Sequence, residues 1–102
     1  MDRKKKVAII TGSGRGIGRG IAIQLAHAGW KIVVNDLGNP DPPAETLELV
    51  RNEGSDGIVV LGNITLAADR QHILDETINT FGQVDLLVNN AGIGPRVRMD
   101  ML

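Results

Sequence analysis

Thr11-Gly12-Ser13-Gly14-Arg15-Gly16-Ile17-Gly18 stands between a β-branched run at residues 7–11 and a helical pattern that opens at Ile17. A strand that feeds a glycine-rich turn and then a helix offers backbone amides and the positive end of the helix dipole to an anion. The glycines have separate steric duties. Gly12 permits the tight turn, Gly16 lets a phosphate approach the main chain, and Gly18 lets helix and strand pack closely. The spacing reads TGxxxGxG: none of Gly12, Gly14 or Gly16 begins a GxGxxG, and no Gly-Lys-Ser/Thr follows to make a nucleoside-triphosphate loop.

Apolar runs of strand length alternate with longer amphipathic stretches on the C-terminal side of this turn, the pattern of successive βα units around a parallel sheet. Residues 7–11, 32–36, 58–62 and 84–89 are predicted strands. The first is apolar throughout, as a strand buried on both faces must be. Ile17, Ile21 and Leu25, with Ala22 and Ala26, give the first helix an apolar face ending at Gly29. A shorter helix is expected over 46–53, and a third over 67–81 with Ile73, Leu74, Ile78 and Phe81 inward and Gly82 as its stop. Right-handed crossovers then give strand order 3-2-1-4, a partial Rossmann fold of the α/β class. No fifth strand is expected after Gly92, and Met99, Asp100, Met101 and Leu102 read as the start of a further helical segment.

Asp36 ends the second strand 18 residues beyond Gly18, near the roughly 20-residue spacing at which an acid meets the adenosine ribose of a bound dinucleotide. Its carboxylate can accept from both ribose hydroxyls and repels the extra phosphate of NADP. Arg15 is a cation that would attract that phosphate. The carboxylate would have to be desolvated against a dianion, whereas Arg15 can swing into solvent, so NAD is favoured over NADP.

Bulk properties agree with a single small domain. The chain has 102 residues, 42% hydrophobic and 23% charged, with net charge -1, which gives no electrostatic reason to expect nucleic acid or an anionic membrane as partner. Arg3, Lys4, Lys5 and Lys6 precede only a short apolar stretch, too brief for a signal peptide or a bilayer span. With no cysteine, no disulfide framework or thiolate metal site can form, and no HExxH or carboxylate cluster suggests another metal site. A cytoplasmic location is expected.

Asn89, Asn90, Ala91 and Gly92, at the end of the fourth predicted strand, together with the stretch from Thr11 to Gly18 resemble the classical short-chain dehydrogenase/reductase family, nearest its 3-oxoacyl-(acyl carrier protein) reductase branch. The resemblance implies that Gly12, Ser13, Arg15, Gly16, Ile17 and Gly18 form the pyrophosphate and adenosine side, that Asp36 takes the ribose, and that Asn90, Ala91 and Gly92 lie along the cofactor. Ser13 is expected to donate its hydroxyl to phosphate. Where the family commonly places an aspartate and an aliphatic residue against adenine, this chain has Asn63 and Ile64, keeping the hydrogen-bonding shape without the charge.

The family's catalytic Asn, Ser, Tyr and Lys are implied to lie downstream of the position of Gly92. No catalytic residue is therefore expected within residues 1–102, which read as a dinucleotide-binding domain truncated before the catalytic half. The chain has no tyrosine. His27 and His72 fall in predicted helices away from the strand ends, Asp85 and Trp30 suit turn and packing roles, and Arg96 and Arg98 belong to the loop expected over the substrate crevice. The complete form would move hydride between a nicotinamide cofactor and a carbonyl or alcohol, and a full-length parent is expected to be a homo-oligomer. The alternatives are a nucleotide-holding module without turnover and an inactive fragment.

Overall fold

A computed structural model of the chain describes residues 5–91 and 98–101, the last four in backbone only. The elements run β1 Val7–Ile10, α1 Gly16–His27, β2 Lys31–Asp36, α2 Asp41–Asn52, β3 Gly57–Leu61, α3 Ala67–Phe81, β4 Leu86–Asn89 and β5 Arg98–Met101. They build one sheet in the order β3-β2-β1-β4-β5. The first four strands are parallel, in the expected order, and β5 runs antiparallel to β4 with Asn89 opposite Arg98.

The period-two alternation of strand side chains sorts the core onto two faces. Ala8 and Ile10 join Ile32, Val34, Leu86 and Val88 beneath Ala22 and Ala26 of α1 and Val50 of α2. Val7, Ile9 and Val33 face the other way, with Val60 and with Ile73 of α3. Every residue of β1 is buried, so the strand that feeds the glycine turn is also the centre of the molecule. Burying each valine, leucine or isoleucine of this core stabilises by about 1.5–3 kcal/mol.

Four expectations require correction. The second helix begins at Asp41, five residues before the expected start. Pro42 and Pro43 look like a turn signal but fall in the helix's first turn, where fixed φ favours proline and the missing N–H costs nothing. The inner stripe of α3 is Ile73 and Thr77, and Phe81 packs against the same cluster. Leu74 and Ile78 are 41% and 48% exposed, because burial follows the row through 73 and 77 and leaves the neighbouring row outside. Thr77 tolerates burial by donating its hydroxyl to the Ile73 carbonyl. Ile17 is exposed, so the apolar face of α1 starts with Gly18, continues through Ala22 and Ala26, and is flanked by Ile21 and Leu25. Finally, residues 98–101 form a strand where a helical start and no fifth strand were expected: they pair with the row of backbone groups that β4 turns away from β1.

The Lys6 ammonium of the basic lead-in lies 5.6 Å from the Trp30 ring centroid. Trp30 itself packs against the first core cluster, the packing role expected of it.

At the start of β3 the Asp56 carboxylate accepts from Arg51 Nε at 3.0 Å and from the Gly57 amide at 2.8 Å. These bonds, led by the Arg51 one, hold its carboxyl below the usual range against a smaller opposing effect of burial. A lowered carboxylate pKa stabilises the fold above the unfolded value near 4, and that contribution is lost as the pH falls through and below it. The pair is well exposed to water, so Asp56→Asn is expected to cost about 0.2–1 kcal/mol at pH 7. Urea titrations at descending pH should bring the two proteins together in acid. A difference independent of pH would show that the charge contributes nothing.

Candidate functional site

The loops that leave the carboxyl ends of β1, β2, β3 and β4 converge on a cleft of about 410 Å³. Such a position, where successive crossovers diverge to opposite faces of the sheet, is where open α/β folds hold ligands. Gly12 and Ile17 form its glycine-turn side, Asn35, Asp36 and Leu37 one wall, Gly62 to Thr65 another, and Asn90 with Ala91 the floor at β4.

The turn is built from its inner bonds outward. Thr11 donates its amide to the Val88 carbonyl, and its hydroxyl oxygen accepts the amides of Asn90 and Ala91 at 2.9 and 3.0 Å. Gly12 adopts φ +62° and its carbonyl accepts Asn90 Nδ2 at 3.1 Å. The Ser13 amide donates to the Asn35 carbonyl, and its own carbonyl accepts the buried Thr46 hydroxyl. Gly14 donates to Asp36 Oδ2 at 2.9 Å while its carbonyl accepts Arg19 Nη2. Arg15 then enters α1 in extended conformation without a side-chain cap, and the first turn holds no acidic residue. Among the described residues the amides of Gly16 and Ile17 have no acceptor, as the first N–H groups of an uncapped helix do not.

Of the residues singled out from sequence, Gly12, Ile17, Asp36, Asn63, Ile64, Asn90 and Ala91 come together around the cleft. Arg15 and Gly16 are exposed on the turn beside it. Gly18 lies beneath, its Cα packed against the Gly12 carbonyl. Ser13 departs from expectation: its hydroxyl is fully buried, donates to the Ile10 carbonyl at 2.7 Å and accepts the Asn35 amide. It staples the turn to β1 and β2 and presents nothing to a phosphate. Gly92 and Arg96 lie outside the described residues, and Arg98 stands in β5 and not in a loop.

Asp36 is gripped at both oxygens, Oδ2 by Gly14 and Oδ1 by the Leu37 amide at 2.8 Å. Asn63 turns its side-chain oxygen onto Thr65 and gives its amide to Asp69, a short local loop that leaves Ile64 as an apolar wall. Sequence reading passed over Asn35, whose buried Nδ2 donates to the carbonyls of Val60 and Gly62 and ties the cleft ends of β2 and β3. A polar residue after Ile32, Val33 and Val34 was the available signal. Arg19 and Thr46 were also passed over; nothing in a helical pattern marks a side chain that reaches a loop. His27 is exposed and meets Glu53, and His72 is exposed; neither touches the cleft. Among the described residues no helix is long and apolar enough to cross a membrane.

This architecture is the Rossmann type, a parallel sheet with a glycine turn at its central strand. The family model described as short chain dehydrogenase matches residues 6–102. The chain belongs to that family. It is 40% identical over 95 residues to an uncharacterised oxidoreductase of Thermotoga maritima, covering 93% of this chain and 37% of that protein. Identity to the 3-oxoacyl-(acyl-carrier-protein) reductase of Staphylococcus epidermidis is 39% over 88 residues, 86% of this chain and 36% of the relative. The crystal structure of a hydroxysteroid dehydrogenase from Escherichia coli superposes with a TM-score of 0.81 at 40% identity, covering 88% of this chain and 38% of that one. The chain thus spans little more than a third of the length of these relatives.

Proposed function

We propose that residues 1–102 are the nicotinamide-dinucleotide-binding portion of an oxidoreductase and lack its catalytic half, with NAD favoured over NADP. The observation that carries the reading is Asp36, fixed at both carboxylate oxygens on the wall of the cleft that the glycine turn opens. A carboxylate held there accepts from the two ribose hydroxyls of NAD and repels a ribose phosphate. The amides of Gly16 and Ile17, without an acceptor among the described residues, suit the pyrophosphate, and a Cβ built at Gly16 meets nothing within 4 Å, so the main chain is open to a ligand. Gly12, Arg15, Gly16, Ile17 and Gly18 form the phosphate side in this reading, Ser13 and Gly18 acting from beneath. Asn63 and Ile64 border adenine, and Asn90 and Ala91 lie along the cofactor.

Bound nicotinamide supplies hydride exchange with a carbonyl or secondary alcohol in the complete enzyme. A 3-oxoacyl substrate is the first to try, on the strength of the relatives named above. A homo-oligomeric parent and a cytoplasmic location belong to the same reading.

Calorimetric titration of the chain with NADH and NADPH at fixed ionic strength, with circular dichroism on the same sample, tests the reading. Saturable binding to a folded chain, at least about tenfold tighter for NADH, is expected from one opposed charge pair near the surface. Tighter NADPH would overturn the cofactor choice, and a folded chain silent to both would overturn the site.

A further inference from the structure

Gly14 is not one of the three glycines that the TGxxxGxG spacing requires. Its φ is not positive, so its backbone does not call for glycine either. What excludes a side chain is Asp36: a Cβ built at residue 14 would stand 2.2 Å from Asp36 Oδ2 and 3.2 Å from both Asp36 Cγ and Pro42 Cβ. The carboxylate thus fills the space a Cβ at Gly14 would need while it accepts the Gly14 N–H at 2.9 Å.

The two sides of that contact differ in freedom. Gly14 is held from behind, since its carbonyl accepts Arg19 Nη2 at 2.6 Å and Arg19 also grips the Pro42 carbonyl and the Thr46 hydroxyl. The neighbouring Ser13 carbonyl is fixed by the same Thr46. Asp36 has fewer anchors. Apart from Gly14, its carboxylate is bound among the described residues only by the amide of the exposed Leu37. A side chain at position 14 therefore moves first the carboxylate, the end of a flexible side chain, while the 3.2 Å approach to Pro42 Cβ asks only for a small shift.

From this we infer that residue 14 is a specificity-determining position, acting through Asp36: its missing side chain lets the carboxylate lie where it discriminates between NAD and NADP. The inference rests on the proposed reading of the cleft. Gly14→Ala is expected to fold, to weaken NADH, and to lower the ratio of NADPH to NADH dissociation constants about tenfold, the scale of one charge-assisted partner lost.

The test measures both dissociation constants for the unaltered chain, Gly14→Ala, Asp36→Ala and the double variant, with circular dichroism on each. The ratio should fall in Gly14→Ala and fall no further in the double variant than in Asp36→Ala. Equal weakening of both nucleotides by Gly14→Ala, or a ratio shift that persists in full without the carboxylate, overturns the inference while leaving the NAD reading intact. An unaltered chain that binds neither nucleotide removes that reading and this inference with it. Should Gly14→Ala fail to fold, amide hydrogen exchange reads the same contact: Gly14 should exchange faster in Asp36→Ala than in the unaltered chain, and an unchanged rate overturns the coupling.

Discussion

Gly18→Ala is expected to destabilise the chain by about 3 kcal/mol and to abolish nucleotide binding, as forced overpacking against rigid neighbours does. A Cβ at residue 18 would stand 2.3 Å from the Gly12 carbonyl oxygen and 2.7 Å from Asn90 Nδ2. Neither can yield alone, because those two atoms are hydrogen-bonded to each other and Asn90 is also tied to the Thr11 hydroxyl. The methyl group must lift α1 from the turn, which separates the two halves of the phosphate side. For a domain of this size about 3 kcal/mol is a large share of the ~5–15 kcal/mol that keeps it folded. Gly20→Ala, on the same helix with nothing within 4 Å, is the control and should be neutral or slightly stabilising. Urea denaturation of the three proteins decides it: equal midpoints for Gly18→Ala and Gly20→Ala would show that the close approach at Gly18 relaxes freely.

The second large effect lies far from the turn. Gly57→Ala places a Cβ 2.1 Å from the Ile32 carbonyl oxygen and 3.3 Å from Leu47 Cδ1, in the first register pair of the β2–β3 ladder. The obstacle is backbone, and the Ile32 amide on the same residue donates to the Asp56 carbonyl. The expected cost is about 2–3 kcal/mol, from strand displacement and a strained ladder. Nucleotide affinity of whatever fraction stays folded should be nearly unchanged, since residue 57 is at the opposite end of β3 from Gly62. Thermal melting with and without NADH separates these effects. A variant with normal melting and weak binding would contradict the placement.

These two glycines mark how far the sequence could be read. Gly18 was legible because its duty is part of a spacing, and spacing is local. Gly57 stands just before the predicted strand at 58–62, and its need for glycine comes from Ile32 on another strand, which no local pattern records. The same division holds elsewhere. The parallel order was legible because continuous apolar runs of strand length separated by helices admit few right-handed arrangements. The start of α2 was not, since two prolines signal a turn and a helix start equally well. Ser13 was misassigned because hydroxyl chemistry suits phosphate, and only the three-dimensional pairing with Ile10 and Asn35 shows the group already used. The strand at residues 98–101 answers a vacancy on β4, a property of the sheet and not of those residues.

The β1–β4 seam carries one more consequence. It is latched at one end by the Val7 amide on the Asp85 carboxylate, across 78 positions of chain, and at the other by the Thr11 hydroxyl on Asn90 and Ala91. Parallel pairing over so long a loop forms only after its closure entropy has been met, so this seam is expected to assemble late in folding. Contacts absent from the transition state act mainly by slowing unfolding. The latches should therefore lengthen the lifetime of the folded chain more than they hasten its formation, and the cleft, whose floor is the Asn90 end of the seam, exists only once that slow step is complete.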